Sequence, residues 1–216
     1  MSSEVGRGME RAGGEERPYQ RNKENAMAIG KVVKVSNPAL FDRCIVSLQD
    51  GLAKELPWLD HVFGRAERLV KEQGGVRRYT PNIYLGGDEY LLLLPDQDLG
   101  NFCFFVLDDP EDVQWNVGER SRLQGTFSLV VWVDMRTVDD DDTRNTERVK
   151  AQILRALNGG IWVRSGSISV AEIYSRAENV FAGFSLDEID NQFLMSPYAG
   201  FRLQGEILAI EECSNQ

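Results

Sequence analysis

The stretch NQFLMSPYAGFRLQGEILAIEEC, Asn191–Cys213, decides the reading of the fold. After Pro197 its side chains divide by parity. Phe201, Leu203, Ile207 and Ala209 fall on one face, and Arg202, Gln204, Glu206, Leu208 and Ile210 fall on the other. Alternation with period two predicts a strand with one buried face. A long strand near a chain end is expected inside a sheet, because a loose terminus frays. Leu208 and Ile210 place apolar groups on the otherwise polar face. Cover is therefore expected on both sides there, with a neighbouring subunit as its source.

Other strands follow from composition. QGTFSLVVWVDMRT (Gln124–Thr137) is rich in β-branched and aromatic residues, with Phe127, Leu129, Val131 and Val133 on one face. Glu89–Pro95 and Phe102–Leu107 are short apolar runs bounded by turn chemistry, and Ile161–Val163 and Ile168–Tyr174 resume the strand pattern. Gly74-Gly75, between RAERLVKE and VRRYTPNIYL, predicts a hairpin. Its exposed positions are basic: Arg65, Arg68, Lys71, Arg77 and Arg78.

Two helices are expected. Phe41, Cys44, Ile45, Leu48, Leu52 and Leu56 recur at helical spacing over Pro38–Leu56, with Asn37 as cap and Pro57 as stop. Val149, Ile153, Leu154 and Leu157 form the stripe of a second helix over Asn145–Leu157, closed by Asn158-Gly159-Gly160. The segment from Arg176 to Asp190 reads as an irregular turn leading into the closing strand. The order implies an α+β fold: a mostly antiparallel sheet with both helices packed on one face, forming a single domain over residues 35–216. Residues 1–34 read as a disordered extension, because Gly, Ser, Glu and Arg cannot bury enough apolar surface to offset ordering entropy.

The chain has 216 residues, 42% hydrophobic and 27% charged, with a net charge of −10. That balance argues against gripping a nucleic-acid backbone, which requires a basic footprint. No apolar run approaches the ~20 residues of a membrane helix, and no secretory signal opens the chain. Cys44, Cys103 and Cys213 lie far apart without metal or redox spacing and read as free thiols of a reducing compartment.

Catalytic constellations lack their parts. His61 is the only histidine, and no nucleophile elbow or zinc-helix motif surrounds it. A thiol–imidazole pair would need Cys44 or Cys103, both in core-type stretches, to fold against it. Asp139–Asp142 run consecutively and do not alternate as calcium ligands do; they read as the acidic approach to a helix. Asp108–Asp112 reads as a turn, and neither glycine pair carries the lysine and helix start of a phosphate loop. No catalytic residue, metal or cofactor is expected.

Surface chemistry remains. Trp58, Phe63, Trp115, Trp162 and Tyr198 lie at element ends, and as a group such aromatics mark protein interfaces. With Arg77 and Arg78 on the hairpin and Leu208 and Ile210 on the closing strand, they define the expected contact residues.

LPWLDHVFGRAERL (Leu56–Leu69), LPDQDLGNFCFFVLDDPE (Leu94–Glu111), RNTERVKAQIL (Arg144–Leu154) and SLDEIDNQFLMSPYAGFRLQGEI (Ser185–Ile207) resemble an uncharacterised group of proteins encoded in prophages of gut bacteria. In element order the chain is similar to the small α+β tail-completion and tail-terminator proteins of long-tailed phages. That resemblance implies a non-enzymatic virion subunit at the tail–neck junction. It further implies a ring-forming homo-oligomer, a hexamer, that contacts tail tube and neck or connector proteins. Such a protein would reside in the host cytoplasm during assembly and in the virion tail afterwards. An acidic lumen would let DNA slide through such a ring. The alternative class is an acidic inhibitor or immunity-like protein that masks a basic partner.

Overall fold

The computed structural model describes residues 30–114, 121–138, 145–159 and 166–211. Trp115, Asp139–Asp142, Ile161–Val163, Cys213 and the N-terminal segment through residue 29 lie outside the described residues.

The fold is α+β, as the sequence implies. Strand β6 (Arg122–Asp134) forms its axis. It pairs antiparallel with β5 (Phe102–Gln114) on one side and with the closing strand β8 (Tyr198–Ile210) on the other. Edge strands β1 (His61–Arg65) and β7 (Gly166–Tyr174) complete a five-stranded sheet in the order β1-β5-β6-β8-β7. Only β1 runs parallel to its neighbour. The closing strand is therefore internal, as its position predicts.

The parity of β8 and β6 sorts residues into two cores. Phe201, Leu203, Ile207 and Ala209 join Phe127, Leu129, Val131 and Val133 on the face covered by helices α1 (Phe41–Glu55) and α2 (Thr146–Gly159). All six apolar positions of the first predicted stripe are buried. The helix starts later than Asn37 predicts. Asn37 and Leu40 both take left-handed backbone (φ 52° and 45°), and Arg43 Nε donates to Pro38 O at 3.0 Å across that turn. The second helix starts as predicted, with Arg148 N–H donating to Asn145 Oδ1 at 3.1 Å.

The opposite face has a cover that the sequence reading did not include. Strands β2 (Glu67–Gln73), β3 (Val76–Gly86) and β4 (Glu89–Leu92) form a separate antiparallel sheet. Its hairpin turns at Gly74-Gly75, both at positive φ (60° and 79°), as a two-residue loop requires. Ile83, Leu93 and Leu94 pack there with Phe102, Phe104, Val130 and Trp132 of the central sheet. The segment before β8, with the short helix α3 (Ala177–Val180) and 3-10 turns at Leu186–Glu188 and Asn191–Leu194, adds Val180, Phe181, Ile189 and Phe193.

Two further boundaries differ from the sequence reading. Asp108–Asp112 is not a turn but a bulge within β5: Asp108 pairs with Thr126 and Asp112 with Gln124, so three residues oppose Gly125 alone. Part of the predicted extension is also ordered. Val32 bridges to Val62, and buried Gln49 of α1 donates through Nε2 to Val33 O (2.7 Å) and Val62 O (3.0 Å).

Candidate functional site

The second core does not cover the whole face of the central sheet. It ends at the level of Val106, Ser128 and Arg202. Beyond that line the same face carries Asp108, Thr126, Gln124, Gln204, Glu206, Leu208 and Ile210, with Ser167, Ser169 and Glu172 from β7 alongside. Leu208 and Ile210 are half-buried and belong to neither core cluster. Among the described residues nothing covers this half-face, which has an apolar end and an acidic margin.

Arg202 lies at the boundary between the covered and open halves. Its side chain is only 7% exposed, yet its one ionic partner among the described residues, Asp108, stands 3.7 Å from Nη2. Nε donates to Ser128 Oγ at 3.0 Å and Nη1 to Ala182 O at 2.9 Å. Burial holds the guanidinium below the ordinary arginine value, with Asp108 and then Tyr174 acting in the opposite direction. A cavity of about 550 Å³ opens over it, walled by Asp108, Thr126, Tyr174, Asn179 and Gln204. The Tyr174 hydroxyl donates to Glu172; that hydrogen bond, then desolvation, then the Glu172 charge push the phenol upward.

A second candidate surface is the β2–β3 hairpin. Val70 and Val76 are 55% and 57% exposed near its tip. Between residues 65 and 78 stand five basic residues and only two acidic ones, Glu67 and Glu72, in a chain of net charge −10. Arg77 is exposed and meets Glu72 across the hairpin at 4.0 Å. Arg68 lies over the Tyr79 ring at 4.0 Å.

The expected contact residues divide. Leu208, Ile210 and Arg77 are on accessible surface. Phe63 is not: it is fully buried in the second core, between His61 and Phe102, and cannot form a contact in the folded protomer. Arg78 meets an acidic patch on its own chain, with Nη1 to Glu188 Oε1 at 2.6 Å and Nε 3.0 Å from Asp187 Oδ2. Trp58 is half-buried and donates through Nε1 to Gln152 Oε1 of α2 at 3.0 Å. Tyr198 stacks on Trp132, with Phe193 at its edge and Arg136 over its ring. Trp115 and Trp162 are outside the described residues.

The thiols do not meet the histidine. Cys103 pairs with Val62 in register and enters the helix-covered core, whereas His61 stacks on Phe63 on the other face. Burial raises the Cys44 thiol to about 11 and raises Cys103 further. Among the described residues no three His, Cys, Asp or Glu side chains gather as metal ligands, and no helix is long and apolar enough to cross a membrane.

Sequence reasoning missed Arg202, Val70 and Val76 as surface-defining residues. Parity placed Arg202 on the polar face, and no local signal tells that the segment through Asn179 and Ala182 lies against it. No protein-family model matches the chain, and no curated protein matches it.

Proposed function

We propose that this protein is a non-enzymatic structural subunit that closes a ring with copies of itself, the role of a tail terminator or tail-completion protein at the tail–neck junction of a phage-like particle. The observation that carries this reading is the open half-face, where Leu208 and Ile210 lie outside both cores with Asp108, Asp112, Glu172 and Glu206 near them. Its complement is on the same chain: one face of the hairpin, with exposed Val70 and the basic Arg68 and Arg77. Two different patches that fit one another make a heterologous contact, which yields a ring when the rotation closes. The apolar contact would supply affinity, and the opposed charges would set orientation and encounter rate. The placement in a virion rests on the resemblance of Ser185–Ile207 and of the element order.

Native mass spectrometry of the full chain, alone and beside tail tube protein, tests the reading. A discrete closed oligomer is expected. Leu208→Asp and Val70→Asp should each leave a folded monomer that no longer assembles. A wild-type chain that stays monomeric under both conditions overturns the proposal. If Leu208→Asp unfolds the monomer, the cover over Leu208 belongs to its own chain. The acidic margin also favours a second reading, an inhibitor that masks a basic partner. A strictly 1:1 complex with a basic protein, formed by a monomeric chain, would mark that outcome.

A further inference from the structure

Beyond self-assembly, the geometry points to a small-ligand site: we infer that the cavity over Arg202 binds a zwitterion of the α-amino-acid class, its carboxylate on Arg202 and its ammonium on Asp108.

A guanidinium carries five N–H groups. Arg202 commits one to Ser128 Oγ and one to Ala182 O, and 3.7 Å to Asp108 is too long for a hydrogen bond. The remaining N–H groups have no acceptor among the described residues. They belong to a side chain that is 7% exposed and that lines the cavity. Nη2 meets the solvent of the cavity, and an incoming anion would replace water there. A planar carboxylate matches the fork of a guanidinium in two parallel hydrogen bonds.

Asp108 narrows the choice. Its carboxylate is 39% exposed, faces the same cavity and stands near the place where the anion would bind. It would repel a dianion such as phosphate, and it offers a counter-charge to an ammonium group. A ligand bearing both charges a few ångströms apart satisfies both walls at once. Thr126, Asn179 and Gln204 supply neutral hydroxyl and amide groups around the remaining space, which suits a polar side chain. Ser128 and Ala182 hold the guanidinium from behind, so the fork is oriented before a ligand arrives.

Calorimetric titration of the full-length chain provides the test. Alanine and glutamine serve as zwitterions, N-acetylalanine as the carboxylate alone, alaninamide as the ammonium alone, and inorganic phosphate as the dianion. Saturable binding of the zwitterions is expected, with N-acetylalanine and alaninamide at least about tenfold weaker. Asp108→Asn, at a partly exposed position, should retain the wild-type circular dichroism and lose about tenfold in zwitterion affinity with no loss for N-acetylalanine. Arg202→Lys should weaken both. No saturable zwitterion binding up to ~20 mM overturns the inference. So does phosphate or N-acetylalanine binding as tightly as alanine, the latter marking a site for a polypeptide C-terminus. Unchanged affinity in Asp108→Asn also overturns it. Because Asp108 also borders the proposed ring contact, the titration is run on the assembly-deficient Leu208→Asp chain as well as on the wild type; no zwitterion binding by either overturns the inference, and failure to assemble is a separate result.

Discussion

Val62 and Phe63, neighbours on β1, enter different cores: Val62 packs under the helices, and Phe63 packs against the second sheet. The central sheet is thus a shared wall between two apolar layers over part of its area. That arrangement explains why the strands read as near-continuous apolar runs, Phe102–Leu107 and Leu129–Val133, and why the face becomes polar where the second layer stops.

Phe63→Ala distinguishes a core residue from a contact residue. The ring is fully buried against Phe102 and His61. Its truncation should cost about 3–5 kcal/mol, read as a lower urea midpoint in dilute protein. A contact role would instead leave the monomer unfolding curve unchanged and alter only assembly.

Arg78 anchors the hairpin to the segment before β8. It meets Asp187 and Glu188, and Ser185 reinforces the join by donating its N–H to Tyr79 O at 2.8 Å while its Oγ accepts from Tyr79 N at 2.9 Å. The guanidinium is 31% exposed, so screening limits its worth. Arg78→Ala should cost no more than about 1 kcal/mol globally. Amide exchange in β2 and β3 should nevertheless quicken more than exchange in β6. Equal acceleration throughout the protein would show that Arg78 does not act locally.

The buried thiols make a chemical prediction. Cys44 holds its proton up to about pH 11, against 9.0 for an unburied thiol. A native chain at pH 8 should therefore leave Cys44 and Cys103 unalkylated by iodoacetamide, as peptide mapping would show. The sign of the linkage follows. The raised folded value contributes stability that is complete below pH 9 and is lost as pH climbs from 9 towards 11. Rapid labelling of either residue at pH 8 under native conditions would contradict the burial.

How much of this was legible follows from the range of each signal. Parity in Phe201–Ala209 and in Phe127–Val133, and the stripe from Phe41 to Leu56, are local patterns, and they correctly gave both helices, the closing strand and the face they share. The Gly74-Gly75 turn was equally local. The second sheet was not legible as a cover, because nothing in β2–β4 says which layer it will meet. The β5 bulge was hidden because Asp108, Asp109 and Pro110 carry turn chemistry into a strand. For the candidate site, Leu208 and Ile210 were visible as apolar residues on a polar face. The condition of Arg202 depends on where α3 and the turn through Ala182 lie in space, and no sequence spacing encodes that.

The pairing of β7 with β8 can be tested at two glycines that differ in what surrounds them. Gly205 pairs with Val170 just before the β7 register shift. A methyl group there would meet backbone: Ser169 C at 2.8 Å and Val170 Cα at 2.9 Å. Gly125 lies opposite the β5 bulge, and a methyl group there would meet side chains alone: the Phe41 ring at 3.2–3.3 Å and Glu111 Cγ at 4.0 Å. A ring can shift by a few tenths of an ångström, whereas a paired strand must separate. Gly205→Ala should therefore cost more than about 3 kcal/mol, and Gly125→Ala about 1 kcal/mol, by urea unfolding. Because Gly205 pairs with Val170, the first variant should also expose β7 amides to exchange before those of β5. Equal costs at the two positions would mean that β7 does not approach β8 as closely as this register requires.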